Sequence, residues 1–579
     1  MKSFFKDTLS TILGLFIFSL ITILIIVVSI SQIYDEEEII VQKNSVLKID
    51  FNKSIVDRGS DNPFASINPM NTEIQEFIEL EEILEDIDRA KEHKNIKGIY
   101  LKISSFDAGF SHIEEIHDKL LEFKESGKFI YAYSENYSQW GYYLASVADK
   151  VYLNPEGNIQ LVGISAGVMF YKEFLEKIGV EAQVIRHGKY KSAVEPFLYN
   201  SMSEENRSQL EDLYNSIMDN MIAEISRNRN ISEASISESM NKLLSSSASK
   251  CQSLSLIDGI YYEDQVLDIL RKEIKELKFI DYSDFRNVKR EVDKISNNKI
   301  AIIYALGSIN TGTADINNIG SETTVKAIQK AKDDKNVKAI VLRVNSPGGS
   351  ALASDIIWRE LELAKKEKPI VVSMGDYAAS GGYYIACNAN KIYANANTIT
   401  GSIGVFGIVP NFKQLMNDKL GIYIDTVNTH KYSDIGRGDR KLTEYETGII
   451  RESIEDVYTT FISRVARGRS MSKVDVDKLA QGRVWSGKDA VDIGLVDEIG
   501  GIEDAIQAAS QLADIKDYRV ITLPQEEDIF EKIFSNLNVH HDIEILELFG
   551  FSQKKLDQLR FLFADDFIQA RMPFIIDLN

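Results

Sequence analysis

The segment Ala-Ala-Ser-Gly-Gly-Tyr-Tyr, in which the serine is Ser380, has the residue types that covalent chemistry requires. The apolar run at residues 370–374 predicts a buried strand, and the residues from Tyr383 onward predict a short helix. A serine on such a strand-to-helix turn presents its hydroxyl beside backbone N–H groups, as a nucleophile does. A serine that merely caps the helix would have the same local sequence, so a catalytic Ser380 needs partners elsewhere in the chain.

A serine nucleophile needs a base that accepts its proton, and histidine is the usual one. His430 is the only histidine between Ser380 and the C-terminal tail, and no carboxylate is an obvious partner for it. Ala378 stands where the nucleophile elbow of an α/β-hydrolase has its first glycine. Both observations weaken a Ser-His-Asp arrangement.

Lysine is the alternative base, because burial disfavours the charged amine and leaves a neutral proton acceptor. Lys191 follows a predicted apolar strand at residues 182–185 and precedes a turn that contains proline. Lys189 and Lys191 would share one side of an extended segment, and a pair of solvated surface lysines is the competing interpretation. Ser402, in Ile-Thr-Gly-Ser-Ile-Gly, either orients the amine through a hydrogen bond or is an ordinary turn serine.

Acyl transfer also needs N–H donors for a developing oxyanion. The segment Arg-Val-Asn-Ser-Pro-Gly-Gly-Ser at residues 343–350 follows a predicted strand, and its glycines leave N–H groups unobstructed. We predict that Gly349 and Gly381 are the donors, with Gly348 as the alternative. No Gly-Lys-Ser/Thr follows the glycines, so a phosphate-binding loop is not favoured.

Internal repeats organise the rest of the chain. Lys-Asn-Ile-Lys-Gly-Ile at residues 94–99 returns as Lys-Asn-Val-Lys-Ala-Ile at residues 335–340, and Gly-Tyr-Tyr at residues 141–143 returns at residues 382–384. Both pairs have an offset of 241 residues, and Lys-Tyr at residues 189–190 returns at an offset of 242. The body is therefore predicted to be a tandem duplication with its boundary near residues 297–299.

The duplication allows the two halves to be compared, and each half has a residue that the other lacks. The pairs are Ser380 with Gln139, Ser402 with Leu161, Gly348-Gly349 with Asp107-Ala108, and Lys191 with Ser433.

Strand-like and helix-like patterns alternate from about residue 46 onward. Helical patterns at residues 80–91 and 113–124 alternate with strand patterns at residues 98–103 and 129–133, which predicts parallel β-α-β units. Residues 210–250 read as wholly helical. Their apolar positions are expected to pack in a core and not to bind a ligand; they are Leu210, Leu213, Ile217, Met221, Ile222 and Ile225.

Residues 11–30 contain no charged side chain and are about long enough to cross a bilayer as one helix. Lys2 and Lys6 precede this stretch and residues 35–38 are acidic, so the N-terminus is expected in the cytoplasm and the body outside. A cleavable signal peptide is the alternative, but no Ala-x-Ala-like site follows. We expect a retained membrane anchor.

Composition excludes several classes of protein. The net charge of −21 makes nucleic acid an improbable partner, because an excess of carboxylates repels phosphate. The two cysteines, Cys251 and Cys387, form no disulfide framework and are expected to be buried thiols. The seven histidines show no metal-ligand spacing, so neither a metal nor another cofactor is expected.

Together these motifs resemble signal peptide peptidase A in its long, tandem-repeat bacterial form. The matching segments are Tyr-Lys-Ser-Ala-Val-Glu-Pro-Phe at 190–197, Asn-Ser-Pro-Gly-Gly-Ser at 345–350, Ala-Ala-Ser-Gly-Gly-Tyr-Tyr at 378–384, Thr-Gly-Ser-Ile-Gly at 400–404 and Gly-Arg-Val-Trp-Ser-Gly at 482–487. Each motif alone is weak, but jointly they are specific.

The resemblance implies an α/β fold of two tandem Clp/crotonase-like repeats behind one N-terminal transmembrane helix. It implies a serine endopeptidase in which Ser380 is the nucleophile, Lys191 the general base and Ser402 the group that orients the lysine. It further implies a homotetramer in the bacterial inner membrane, with the catalytic body on the outer, periplasmic side. The implied substrates are released signal peptides and other apolar peptides.

The predicted divisions are an anchor at residues 1–34, a first repeat at 45–297, a second repeat at 298–525 and a C-terminal extension at 526–579, to which no role is assigned. Two other functions stay open. A crotonase-like acyl-CoA enzyme would share the fold without needing Ser380, and an inactive membrane scaffold would retain the fold without turnover.

Overall fold

The computed structural model describes residues 11, 13–19, 21–22, 39–59, 77–103, 107–289, 296–314, 317–524 and 568–572. Half of the predicted membrane span and most of the C-terminal extension lie outside these residues. Among the residues that are described, no helix is both long enough and apolar enough to cross a bilayer.

Strands and helices alternate through the first half, as predicted. Its strands are β1 (Ser45–Phe51), β2 (Ser54–Val56), β3 (Phe77–Glu79), β4 (Ile96–Ile103), β5 (Phe129–Ser134), β6 (Lys150–Leu153), β7 (Glu181–His187), β8 (Gly259–Ile260) and β9 (Lys278–Asp281). Its helices are Leu80–Glu92, Phe110–Lys124, Gln139–Ala145, Lys172–Ile178, Glu195–Leu198, Glu204–Arg229, Glu233–Lys242, Ala248–Ser253, Glu263–Glu273 and Tyr282–Arg286, with a 3₁₀ turn at Ser192–Val194.

The second half repeats the alternation. Its strands are β10 (Lys299–Leu306), β11 (Ile309–Asn310), β12 (Ile319–Gly320), β13 (Val337–Ser346), β14 (Gly348–Ser350), β15 (Ile370–Ala379), β16 (Lys391–Ala394), β17 (Ile399–Gly401), β18 (Val405–Asn411), β19 (Val484–Ser486), β20 (Glu498–Ile499) and β21 (Arg519–Leu523), followed by β22 (Ile568–Arg571) in the tail. Its helices are Ser321–Asp333, Ala351–Lys365, Gly381–Ala386, Glu444–Gly468, Lys473–Leu479, Gly487–Asp492 and Ile502–Leu512, with a π-helical turn at Leu415–Leu420.

The two main sheets have the same strand order. The first runs β8-β6-β5-β4-β1-β9, and the second contains β20-β16-β15-β13-β10-β21 in the equivalent places, with every one of these pairs parallel. In the second sheet, β17 and β19 extend it from the end of β15. A shared strand order in both halves is what a tandem duplication produces.

Residue patterns account for these elements. Nine of the ten residues of β15 are buried, because both faces of a parallel sheet are covered by other layers. The helix Leu80–Glu92 buries only one stripe, which includes Ile83, Leu84 and Ile87. Cys251 and Cys387 are buried free thiols, as predicted.

The stretch predicted to be wholly helical at residues 210–250 is instead divided among three helices. Asn230 and Leu243 take left-handed backbone conformations with φ of 53° and 51°, and each ends a helix. The six apolar positions of this stretch are buried, as predicted.

A third, mixed sheet joins the halves in the order β12-β11-β14-β22-β18-β7. Here β7 of the first half pairs antiparallel with β18 of the second over seven residues, from Glu181 opposite Asn411 to His187 opposite Val405. The segment that follows β7 is thereby carried into the second half.

A buried ionic cluster also connects the halves. Arg343 on β13 forms ion pairs with Asp57 at 2.6 Å and with Glu115 at 2.8 Å, and all three side chains are buried. Asp376 on β15 accepts hydrogen bonds from the backbone N–H and hydroxyl of Ser111, at 2.8 and 2.9 Å. Charges without access to water need partners, so these contacts oppose any sliding of one half against the other.

Candidate active site

Ser380 lies directly after β15, at the start of the helix Gly381–Ala386. Its φ is 56° and its ψ is −113°, a backbone conformation that non-glycine residues rarely adopt. The turn is held because the Ser380 N–H donates to the Gly401 carbonyl on β17, at 2.8 Å. Such strain costs of the order of 1–3 kcal/mol and is typical of functional positions.

Lys191 brings an amine from the first half to this turn. Its Nζ lies 2.8 Å from Ser380 Oγ, 3.1 Å from Ser402 Oγ and 3.1 Å from the Ser402 carbonyl oxygen. Lys191, Ser380 and Ser402 are each 0% exposed. The structure therefore brings together three residues that the sequence separates by as much as 211 positions.

Burial lowers the pKa of the Lys191 amine well below its usual value. Its three hydrogen-bonding partners are uncharged oxygens, so no neighbouring carboxylate offsets the cost of burying an ammonium ion. The lowered pKa favours the neutral amine, which can accept a proton. Lys189, by contrast, is exposed, and the solvated interpretation applies to it.

A glycine explains how the chain approaches Lys191 so closely. A Cβ added to Gly482 would lie 2.6 Å from the Lys191 nitrogen, and φ at Gly482 is +82°. The N–H of Tyr190 donates to the Gln481 carbonyl at 2.9 Å, and the N–H of Gly482 donates to the Ile403 carbonyl at 2.8 Å. The motif at residues 482–487 thus lies between the lysine segment and the Ser402 turn and holds them together. In the sequence analysis this motif was identified only as part of a resemblance.

Ser402 sits on a second constrained turn. Its φ is 50°, and its N–H donates to the Arg483 carbonyl at 2.7 Å. Both the hydroxyl and the carbonyl of Ser402 therefore face the amine from a fixed backbone.

The predicted oxyanion glycines lie beside Ser380. A Cβ built on Gly348, where φ is +95°, would stand 2.7 Å from the Gly381 nitrogen, so the two backbone segments touch. The Gly348 N–H donates to Ser346 Oγ at 3.2 Å, which favours Gly349 over Gly348 as the second donor. The assignment of Gly349 and Gly381 as the oxyanion donors stays a prediction.

His430 does not reach this site. It is exposed, and its Nδ1 lies 3.1 Å from Thr429 Oγ1. The histidine alternative for the base has no support in the geometry.

Two cavities, together called the cleft, border residues 347–351. One, of about 630 Å³, is mainly apolar, and its walls include Ala351, Leu352, Tyr384, Val409, Val457 and Ile568. The other, of about 910 Å³, has walls of mixed polarity, which include Asp57, Asp107, His112, Gly349, Asp376 and Arg571.

Sequence reasoning missed two features of the cleft. The buried cluster around Asp57 and Arg343 had no motif, because its members are distant in sequence and each type is common. The tail strand β22 alternates apolar and polar residues over only four positions, which is too short a pattern to identify a strand.

Comparison with known proteins identifies the family of the chain. The family model described as Peptidase family S49 matches residues 122–278 and, separately, residues 362–516. The chain belongs to peptidase family S49. Both repeats of this S49 peptidase match the model, so it has the tandem form that its motifs predicted.

Relatives extend over most of the chain. "Protease 4" of Haemophilus influenzae is 39% identical over 444 residues, covering 74% of this chain and 72% of that protein. "Protease 4" of Salmonella typhi is 36% identical and covers 79% of this chain and 75% of its own length. "Serine protease SPPA, chloroplastic" of Arabidopsis thaliana is 34% identical and covers 83% of this chain and 71% of its own length. The protein is therefore a serine protease of family S49.

Proposed function

We propose that this S49 peptidase is a membrane-anchored endopeptidase that degrades released signal peptides with a Ser380/Lys191 dyad. The observation that carries the proposal is the 2.8 Å contact between the Lys191 amine and the Ser380 hydroxyl, both of which belong to fully buried residues. A strained serine at hydrogen-bond distance from an uncharged amine is an activated nucleophile.

Hydrolysis proceeds in two steps. Neutral Lys191 takes the proton of Ser380 as its Oγ attacks the peptide carbonyl carbon, and the N–H groups of Gly349 and Gly381 stabilise the oxyanion. The ammonium of Lys191 then protonates the departing amine, which leaves an ester on Ser380. A water, deprotonated by Lys191, hydrolyses this ester and regenerates the serine. Ser402 keeps the amine directed at Ser380 through both steps.

The apolar cavity supports the substrate class. It opens next to Ala351, which follows the β14 glycine segment, and can accept apolar side chains near the bond to be cut. Signal peptides consist mainly of such side chains.

We propose that residues 11–30 form the membrane anchor of a Clp/crotonase-like body on the periplasmic side of a bacterial inner membrane. The described residues of this stretch are helical, and their large apolar side chains are exposed, from 49% at Ile21 to 69% at Phe18. An unpacked apolar helix near the N-terminus is suited to lipid. It would hold the cleft close to peptides that remain in the membrane.

We also propose a homotetramer, formed by the repeats at residues 45–297 and 298–525. Within the chain β7 pairs with β18. The counterpart of β7 in the second repeat is residues 423–429, and the counterpart of β18 in the first repeat is residues 164–170. Neither segment lies in a strand, and residues 423–429 are exposed throughout. Tyr423 and Val427 are 76% and 100% exposed. Pairing of residues 423–429 with residues 164–170 of a second copy would repeat the β7–β18 contact from chain to chain and close a ring.

A labelled fluorophosphonate in detergent tests the dyad. The native protein and Lys189→Ala should be labelled at Ser380 and should hydrolyse apolar peptides. Lys191→Ala should lose at least about a thousandfold in both rates. Full labelling of Lys191→Ala would remove lysine from the base role, and retention of coenzyme A without labelling would favour the crotonase-like alternative.

A further inference from the structure

Lys191 lies in a short connection between two elements, so the shape of this connection sets the direction of its side chain. β7 ends at His187, and a 3₁₀ turn begins at Ser192. The φ of Lys191 is −75° and its ψ is 74°, and the Ser192 N–H donates to the Tyr190 carbonyl at 2.8 Å. This geometry is that of an inverse γ-turn with Lys191 at its centre. One internal hydrogen bond holds such a turn weakly, so contacts from outside must stabilise it.

The side chain of Gln209 contacts this turn on both sides of the lysine. Its Nε2 donates to the Tyr190 carbonyl at 3.1 Å and to Ser192 Oγ at 3.0 Å. Gln209 is 1% exposed and belongs to the helix Glu204–Arg229, a long element that gives its side chain a rigid base. The residues before and after Lys191 are therefore both tied to one amide.

The other end of the Gln209 amide reaches the second half of the chain. Its Oε1 accepts a long hydrogen bond from the backbone N–H of Val484 on β19, at 3.4 Å. A carbonyl needs a donor and an N–H needs an acceptor, so the contacts with Tyr190 and Val484 settle which end of the amide is nitrogen and which is oxygen. Gln209 thus connects the γ-turn of Lys191 to the motif at residues 482–487.

Buried neighbours fix the orientation of Gln209 itself. Asn206 Oδ1, one turn earlier in the helix, accepts from Gln209 Nε2 at 3.2 Å, and Asn206 Nδ2 donates to Glu195 Oε2 at 3.0 Å. Asn206 is 3% exposed and Glu195 is 0% exposed. A buried amide with both polar atoms bonded is a rigid support. It also adds no negative charge beside the lysine, and such a charge would favour the ammonium form.

We infer that Gln209 is a positioning residue for the dyad, which holds the γ-turn of Lys191 so that the amine points at the Ser380 hydroxyl. This inference rests on the proposed function, because it takes Lys191 to be the general base. Gln209 acts through the backbone on either side of Lys191. Proton transfer requires the amine at hydrogen-bond distance from the hydroxyl, so a displacement of about 1 Å at this turn can lower the rate about a hundredfold.

Gln209→Met tests the positioning role. Methionine has a similar length and favours helix, so the variant removes both polar atoms and keeps the packing. We expect kcat for an apolar peptide to fall about tenfold or more, with KM within about twofold of the native value. The acid limb of kcat/KM should move to higher pH, because an amine released from the turn gains contact with water and burial lowers its pKa less.

Gln209→Glu is a second variant, with the shape of the native side chain. Its carboxylate keeps an acceptor for the Val484 N–H but cannot donate to the Tyr190 carbonyl, and it adds a negative charge near the lysine. We expect the same loss of kcat and an acid limb at still higher pH than in Gln209→Met. Circular dichroism of each variant checks that the fold is retained.

Asn220→Leu is the matched control for a structural effect. Asn220 is a buried amide of the same helix and also bonds to the second half: its Nδ2 donates to Asn397 Oδ1 at 3.0 Å, and its Oδ1 accepts from Lys488 Nζ at 2.9 Å. Neither contact involves the γ-turn. This variant should lose stability in a denaturant titration, as Gln209→Met does, but should keep the native kcat and the native pH profile.

A native pH profile in both Gln209 variants would overturn the positioning role. Equal losses of kcat in Gln209→Met and Asn220→Leu would overturn it too, because the effect would then come from general stability. Native turnover in Gln209→Met, combined with loss of turnover in Lys191→Ala, would refute the inference and leave the proposed dyad standing. Full turnover in Lys191→Ala would instead refute the dyad itself.

Discussion

The turn after β15 in the second half corresponds to the turn after β5 in the first half, but the two turns differ in backbone conformation. In the second half, β15 runs up to Ala379, and Ser380 follows in a strained conformation with φ of 56°. In the first half, β5 ends at Ser134, and Gln139, the counterpart of Ser380, is the first residue of an ordinary helix. Ser138 caps that helix by accepting the Gly141 N–H at 3.0 Å.

The side chains at this turn differ in what they bind. The amide oxygen of Gln139 accepts the N–H groups of Val162 and Gly163, at 3.1 and 2.8 Å, immediately after Leu161, the counterpart of Ser402. The equivalent turn of the second half holds an amine between two serines instead. In the first half, the Gln139 amide accepts the backbone N–H groups at this turn. In the second half, the turn has a strained backbone at Ser380 and the buried amine of Lys191 beside it.

The proposed dyad therefore depends on the lysine that crosses from the first half. The β7–β18 pairing and the Arg343 ion pairs hold the two halves together, and each half alone lacks part of the dyad. In the proposed dyad, duplication followed by divergence lets one copy supply the base and the other the nucleophile.

The largest expected effect is the pH dependence of turnover. The Lys191 amine at the Ser380 turn titrates, whereas the Gln139 amide at the corresponding turn of the first half does not. Burial lowers the pKa of Lys191, so its catalytic, neutral form is present above this lowered pKa and is lost as the pH falls through it. We expect kcat/KM to fall about tenfold per pH unit on the acid side of that pKa and to be level above it. A rate that still rises above pH 9 would mean that Lys191 has an ordinary pKa.

The stability of the fold limits the useful pH range of this measurement. Burial would lower the pKa of His112, but the carboxylates of Asp57 and Asp376 raise it to about 9. Because the folded pKa exceeds the ordinary histidine pKa of 6.5, the stabilisation from His112 is complete below pH 6.5 and is lost as the pH rises through about 9. Kinetic data should therefore be paired with circular dichroism at each pH.

Much of this arrangement could be predicted from the sequence. The parallel units followed from alternating patterns, and the duplication followed from recurring motifs. Comparison of the halves then singled out Ser380, Ser402 and Lys191, since each differs from its counterpart. The structure places the Lys191 amine within hydrogen-bond distance of both serine hydroxyls.

The features of the structure that could not be predicted depend on contacts between distant segments, and such contacts leave no local sequence pattern. The division of residues 204–253 into three helices depends on left-handed conformations at Asn230 and Leu243, and leucine is an unusual residue in that conformation. The pairing of β7 with β18, and of β22 with β14, depends on strand edges that exist only once the sheets have formed. The tail strand has no counterpart in the first half, so the comparison of repeats could not identify it.

Ser402→Ala should have a smaller effect than protonation of the lysine. The variant keeps the Ser402 carbonyl contact with Lys191 but loses the hydroxyl contact at 3.1 Å. A hydrogen bond of this kind contributes about 1 kcal/mol, so we expect kcat to fall by about fivefold to tenfold with KM nearly unchanged. Ser433→Ala, at the exposed counterpart of Lys191, is the matched control and should leave both constants unchanged. A loss confined to KM would contradict a positioning role for Ser402.

Gln139→Ser gives the first half a serine at the position of the nucleophile, and we expect no change in turnover from it. No amine is supplied there, because the residue that corresponds to Lys191 is Ser433, and this serine is exposed. The N–H groups of Val162 and Gly163 lose their acceptor, so the free energy of unfolding should fall by about 1–3 kcal/mol in a denaturant titration. Gln160→Ser, at an exposed neighbour, should leave stability within about 0.5 kcal/mol of the native value. Fluorophosphonate labelling at position 139 would show that a serine at this turn reacts without the lysine, and would contradict the distinction between the two halves.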